Sequence, residues 1–248
     1  MDNYDEIFAR RGSAYDDAMQ AYPEARAREF AQIIDALAPS PDDRIGDVPA
    51  GGGYLRRYLP ESCTWSGHEP CGDFLAHSGM ARGAGDVPLL PLPFGDAALD
   101  GIVSLAGVHH IDDKRALFDE AHRVTRPGGR FVLSDVRENS PVAQFLDDFV
   151  GQWNSTGHEG TYLTEATVET MEAAGWQVED ASINRFTWDF ATREDMAQFS
   201  KSLFDISKLE RPAVATAIEE RLGVIDRSDG SVGMCWELMT VTAIRPLH

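Results

Sequence analysis

Arg44-Ile45-Gly46-Asp47-Val48-Pro49-Ala50-Gly51-Gly52-Gly53-Tyr54 reads as the end of a buried strand, a glycine turn and the start of a helix. Three consecutive glycines admit positive φ and let a ligand approach the backbone without a Cβ in the way. The next residues, Tyr54 to Leu59, can begin a helix whose first amide N–H groups face that ligand. Asp47 stands at the carboxyl end of the strand, where α/β sheets bind nucleotide-type cofactors. A dinucleotide fingerprint would need a third glycine at position 56, which is Arg56. That disfavours a pyrophosphate seat. An ordinary surface turn is the plain alternative, so the rest of the chain decides.

Strand and helix signals alternate around this turn. Upstream, Phe30, Ile33, Ile34 and Leu37 recur at helical spacing after Pro23, and Ala38-Pro39-Ser40-Pro41 stops that helix. Residues 1–20 carry Tyr4, Phe8, Arg10, Arg11 and Tyr15 with little periodicity. Downstream, Thr64 to Glu69 is a short strand ending in an acid, 22 residues after Asp47, and Pro70 breaks it. An acid there suits the two hydroxyls of an adenosine ribose. Gly85-Asp86-Val87 ends a third strand, whose acid can accept the adenine amine. Leu99 to Leu105 is an apolar run without strict alternation, as in a strand buried on both faces. It opens into Val108-His109-His110.

Lys114 to Thr125 has a helical pattern, ended by Arg126-Pro127-Gly128-Gly129, and Arg130 to Asp135 is a fifth strand. Five strands alternating with helices predict a parallel, doubly wound α/β sheet. Ser140 to Trp153 reads as an extra helix. Thr164 caps a helix running to Ala174, which Gly175 ends. Trp176 to Phe190 contains a strand, residues 192–222 hold two helices, and Met234 to Ile244 is the last strand.

The chain has 248 residues, 43% of them hydrophobic and 25% charged, as in one soluble globular domain. No linker divides it, so residues 1–248 are expected to form one domain. Its net charge of −19 would repel a phosphate backbone, which disfavours nucleic acid as a partner. No stretch approaches a membrane span, and the acidic N-terminus lacks the pattern of a signal peptide. Cys63, Cys71 and Cys235 lack Cys-x-x-Cys spacing, which suggests reduced thiols, a cytoplasmic location and no metal site.

Taken in order, Asp47 to Gly53, Glu69, Asp86, the connector Pro91-Leu92-Pro93-Phe94…Leu99-Asp100, His109-His110 and Arg123-Val124…Arg126-Pro127-Gly128-Gly129 resemble the class I S-adenosylmethionine (SAM) dependent methyltransferases. The likeness is to the small-molecule, metal-independent group and covers residues 40–136. It implies a Rossmann-like seven-stranded sheet with an antiparallel last strand, plus a small helical cap. It implies SAM as cofactor and S-adenosylhomocysteine as product. By resemblance, Asp47, Ala50, Gly51 and Gly53 would cradle the methionine part, and Glu69 with Pro70 would bind the ribose. Asp86 and Val87 would take the adenine, and Leu105 or Ala106 the sulfonium region. Residues 1–20 would form a lid with Tyr15 among its contacts. Pro49 departs from the pattern by replacing a glycine and removing a backbone donor.

A hydroxyl acceptor needs a base, and His110, then His109, are the candidates, with Asp135 at the neighbouring strand end. Acceptor selection would fall to residues 1–20 and to cap insertions 137–160 and 186–232. Trp153, His158, Tyr162, Phe199, Phe204 and Trp236 could wall the pocket. The expected reaction is methyl transfer to a small-molecule hydroxyl, and a homodimer is left open. A SAM-fold protein without methyl transfer, such as a cyclase, isomerase or SAM-binding regulator, is the alternative. A NAD-dependent oxidoreductase is disfavoured by Arg56.

Overall fold

A computed structural model describes residues 4–74 and 87–247, the side chains of residues 4–11 and of Asp73 excepted. Helices α1 (Tyr4–Ala21) and α2 (Ala27–Leu37) precede a seven-stranded sheet. Its strands are β1 (Arg44–Asp47), β2 (Thr64–Gly67), β3 (Leu99–Leu105), β4 (Thr125–Asp135), β5 (Gln177–Phe190), β6 (Val224–Asp226) and β7 (Val232–Ile244). They lie in the order β2-β1-β3-β4-β7-β5, with β6 beside β7. The first four are parallel, and β7 runs antiparallel to β4, β5 and β6. Further helices are α3 (Lys114–Val124), α5 (Glu165–Ala173), α6 (Arg193–Leu203) and α7 (Arg211–Arg221). Between α3 and α5 lies α4, made of Pro141–Gln144, a π-helical stretch Phe145–Val150 and Gly151–Trp153.

Alternation along the strands sorts their side chains between two layers. Val103 and Val132 join Ile33, Phe30 and Phe199 on one face; Ile102, Phe131 and Leu133 join Leu117, Phe118 and Met171 on the other. Both faces are therefore covered, which is why β3 reads as a continuous apolar run. Fully burying one such side chain contributes roughly 1.5–3 kcal/mol. This is the expected α/β sheet with an antiparallel last strand. Thr164 forms a capping box with Thr167 at the start of α5, and Gly175 follows it at φ 94°.

Three expectations need correction or lie elsewhere. The helix after the glycine turn is only one 3-10 turn, Tyr54–Arg57, soon followed by Pro60, which bars its predecessor from helical φ/ψ. Residues 4–21 form a helix rather than a loose stretch, and its inward face mixes Ala18 and Met19 with the buried carboxyl of Asp16. That mixture hides the apolar periodicity. The expected third strand falls on Gly85 and Asp86, outside the described residues, and Val87 is not in a strand. Among the described residues, no helix is long and apolar enough to cross a membrane.

Candidate active site and cofactor cavity

β1 delivers Asp47 to the carboxyl edge of the sheet, buried to 3% exposure. Gly51 and Gly53 turn the chain there with φ 53° and 74°, and a Cβ on Gly52 would meet the Tyr54 ring at 2.5 Å. Trp65 Nε1 donates to Asp47 Oδ2 at 3.1 Å. Burial pushes the Asp47 carboxyl up to about 8; the Trp65 N–H opposes this and the Glu69 charge adds to it. Glu69, at the tip of β2, accepts the Gly51 N–H at 2.7 Å and the Cys71 N–H at 2.8 Å. The acid expected on the ribose thus ties the second strand to the glycine turn.

A cavity of about 530 Å³ opens over this turn, and Asp47, Ala50, Gly51, Leu105 and Tyr15 line it, as the sequence reading expects. Gly53, Glu69, Pro70 and Val87 are not part of its wall, and Asp86 lies outside the described residues. Arg26, Phe30, Tyr54, Leu55, Phe74 and Gly107 also line it and were missed. Pro49 also lines it, with its ring so close to Gly107 that a Cβ there would meet Pro49 Cγ at 2.5 Å. α1 reaches the turn through Asp16, whose carboxylate accepts the Tyr54 hydroxyl at 2.6 Å.

A second cavity of about 540 Å³ shares Tyr15, Arg26 and Ala106 with the first. Arg26 is buried, donates to Glu29 at 2.6 and 2.8 Å and to the Tyr15 hydroxyl, and lies over the Trp188 ring. Trp188 Nε1 also donates to Glu29, at 2.6 Å. Burial opposes the Arg26 charge, but Glu29 and the Tyr15 hydroxyl together outweigh that, so its pKa is raised further. Trp188, Trp236 and Phe204 stack along one wall, the two tryptophan rings 4.3 Å apart.

The opposite wall is built of histidines. β3 ends in the 3-10 turn Val108–His110, and Asp135 at the end of β4 holds that turn. Asp135 Oδ2 accepts the N–H groups of Val108 and His109, and Oδ1 faces His109 Nδ1 at 2.7 Å. Burial opposes ionisation of Asp135, yet His109 and the backbone donors outweigh it and hold its pKa below the usual range. His109 is 8% exposed and His110 half-buried, so the second of the two candidate bases is the deeper one. His158 reaches the same wall from the loop after α4, its Nδ1 3.0 Å from Asp147 Oδ1, which also accepts the Tyr162 hydroxyl at 2.6 Å. The Thr161 N–H donates to the His109 carbonyl and fastens that loop to the 3-10 turn. Of the expected aromatic wall, His158, Phe204 and Trp236 line the cavity. Phe199 packs in the core behind Trp188, Tyr162 backs the histidines, and Trp153 sits at the edge of the same core.

Open α/β sheets bind ligands beyond the carboxyl ends of their strands, and both cavities lie there. The sheet order and the glycine turn at the end of β1 are those of a Rossmann-like methyltransferase fold. Residues 47–133 match the family model described as a methyltransferase domain. A demethylmenaquinone methyltransferase of Mycolicibacterium vanbaalenii is 34% identical over 106 residues, 41% of this chain and 45% of that protein. The chain thus spans about half the length of the curated relatives it matches. Two solved structures share the fold alone. Geranyl diphosphate C-methyltransferase from Streptomyces coelicolor, solved with S-adenosylhomocysteine, superposes with a TM-score of 0.55 at 16% identity, over 93% of this chain and 83% of that one. The [4+2]-cyclase SpnF gives 0.60 at 17%, over 99% and 97%.

Proposed function

We propose that this chain transfers a methyl group from SAM to a small-molecule acceptor, at a hydroxyl oxygen. The observation that carries this reading is the pair of cavities sharing Tyr15, Arg26 and Ala106, one on the glycine turn and one on the histidines. The residues at the first cavity fit the cofactor. Among the described residues, the Asp47 carboxyl accepts one hydrogen bond and makes no ion pair, so it suits a cationic amine, and the glycine turn leaves its backbone open to close approach.

SAM supplies a methyl on a sulfonium leaving group: the S–CH3 bond breaks with its electron pair to sulfur as the bond to the acceptor oxygen forms. The protein's part is alignment across the shared wall, which can supply several kcal/mol of the barrier. His109 is assigned to take the acceptor's proton, with His110 beside it and Asp135 orienting and stabilising the imidazolium. The flat Trp188–Trp236–Phe204 wall favours an aromatic or otherwise apolar acceptor.

Incubation of the protein with SAM and a panel of phenols, sugars and amines, read as S-adenosylhomocysteine, tests the reading. His109→Ala should lower turnover by roughly 10²–10⁴ with SAM affinity retained. A folded double variant, His109→Ala with His110→Ala, that keeps the parental rate would remove the base and leave positioning alone. A SAM-fold chain without methyl transfer is the second reading, favoured by Pro49 in the cavity wall. It predicts tight SAM binding with no S-adenosylhomocysteine from any acceptor.

A further inference from the structure

Three imidazoles from two distant parts of the chain meet at the second cavity. The ring nitrogens that could ligate an ion, one each from His109, His110 and His158, all lie within 4.8 Å of one another. Two of the rings are fixed from behind in the same way. His109 Nδ1 faces Asp135 at 2.7 Å and His158 Nδ1 faces Asp147 at 3.0 Å. A carboxylate accepting from Nδ1 selects the tautomer whose lone pair is on Nε2. Carboxylate behind and lone pair in front is the arrangement of metal-ligating histidines.

The carboxylates are themselves held. Asp135 accepts the backbone N–H groups of Val108, His109 and Val136. Asp147 accepts the Tyr162 hydroxyl and the Gly160 N–H. Two anchored carboxylates would offset the charge of one divalent ion. The three rings line the cavity, so positions the protein leaves open on such an ion would face its interior.

We infer that His109, His110 and His158 bind a divalent transition metal at the floor of the acceptor cavity. Imidazole ligands suit zinc, iron(II), cobalt and nickel, whereas magnesium and calcium prefer oxygen. A tetrahedral site with metal–nitrogen bonds of about 2.0–2.1 Å has edges of about 3.3 Å, so the rings must close by roughly 1.5 Å or less. The role of the ion rests on the reading of this cavity as the acceptor site. There it acidifies a coordinated hydroxyl, whose proton passes to water before the oxygen takes the methyl. One nitrogen lone pair cannot serve as ligand and base together, so metal loading removes the imidazoles as bases and takes over their task.

The test is cobalt(II) titration of the whole protein after chelator treatment and chelator removal, read by calorimetry and visible absorption. Expected is one cobalt per chain with the ligand-field bands of a low-coordinate imidazole site. His158→Gln should weaken cobalt binding at least ten-fold, and Asp147→Asn, which leaves all three rings in place, by roughly 10–100-fold. SAM affinity, measured in parallel, should not move in either variant. Cobalt binding that is undetectable, or equal in parent, His158→Gln and a variant combining His109→Ala, His110→Ala and His158→Ala, overturns the metal site. If SAM still binds in that case, the methyltransferase reading stands without the metal. A specific cobalt site in a chain that binds no SAM upholds the site and overturns the methyltransferase reading instead.

Discussion

Asp47 is a buried acid that the fold holds largely protonated near neutral pH. In the fold its pKa is pushed up to about 8, first by burial and then by the Glu69 charge, against the Trp65 N–H. In the unfolded chain it would titrate near 3.9. The fold therefore keeps a proton that the unfolded chain has released, and stability falls as pH rises from about 4 through about 8. The methionine ammonium of SAM beside Asp47 would lower that pKa, so binding near neutral pH should release a proton. Calorimetric titration in buffers of different ionisation enthalpy measures it, and Asp47→Asn should abolish it. A binding enthalpy independent of buffer would remove Asp47 from the cofactor site. Glu69 sits one strand away with both carboxylate oxygens on backbone donors. Glu69→Ala leaves the Gly51 and Cys71 N–H groups short of an acceptor. It should cost roughly 1.5–3 kcal/mol of stability by chemical denaturation. It should also weaken SAM about ten-fold or more. Parental affinity in that variant would show that the acid shapes the turn without serving the ribose.

At the scale of elements, α1 decides how the first cavity is closed. It packs on α6 and on the 3-10 turn Gly72–Phe74, and it meets the glycine turn through Asp16 and Tyr54. Tyr15 closes one side of the cavity with its hydroxyl on Arg26 and its ring edge-on to Phe74, the centroids 5.4 Å apart. Deleting residues 1–18 should leave the sheet folded by circular dichroism and weaken SAM by an order of magnitude or more. If the shortened protein binds SAM as the parent does, α1 has no role as a lid. The same element shows where sequence reading fails. β1, β3 and α2 announce themselves through local spacing: an apolar run, a glycine turn, a three-and-four repeat. α1 buries Asp16 beside Ala18 and Met19, and α2 opens on Arg26 and Glu29, both buried and both bonded. A charged residue at a helix start reads as solvated, and nothing local shows that Trp188, 159 positions on, donates to Glu29. His158 is equally hidden: its meeting with His109 depends on the loop after α4 folding back onto β3. That Glu69, Asp47, His109 and Asp135 gather at one edge was legible, because the strand ends of a doubly wound sheet converge there.

At the scale of the molecule, the net charge of −19 sets the field that a ligand crosses before any contact forms. SAM carries one net positive charge at neutral pH, from sulfonium and ammonium against one carboxylate. S-adenosylhomocysteine lacks the sulfonium and is neutral overall. A strongly anionic protein should gather the first and ignore the second at long range. The Debye length is about 10 Å at 0.1 M salt and about 3 Å at 1 M, so added salt shortens the reach of that field. Stopped-flow fluorescence, with Trp65 beside Asp47 as a reporter near the cavity, can follow both association rates. The SAM on-rate should fall several-fold from low to high salt, while that of S-adenosylhomocysteine stays nearly flat. Because the two ligands share every neutral contact, the difference isolates the charge on sulfur. Equal salt dependence for both would mean that the surface charge serves solubility alone and does not steer the cofactor. A steep fall for SAM alone would mean that the acidic surface favours entry of the charged substrate over its neutral product, a kinetic preference that contacts inside the cavity cannot supply.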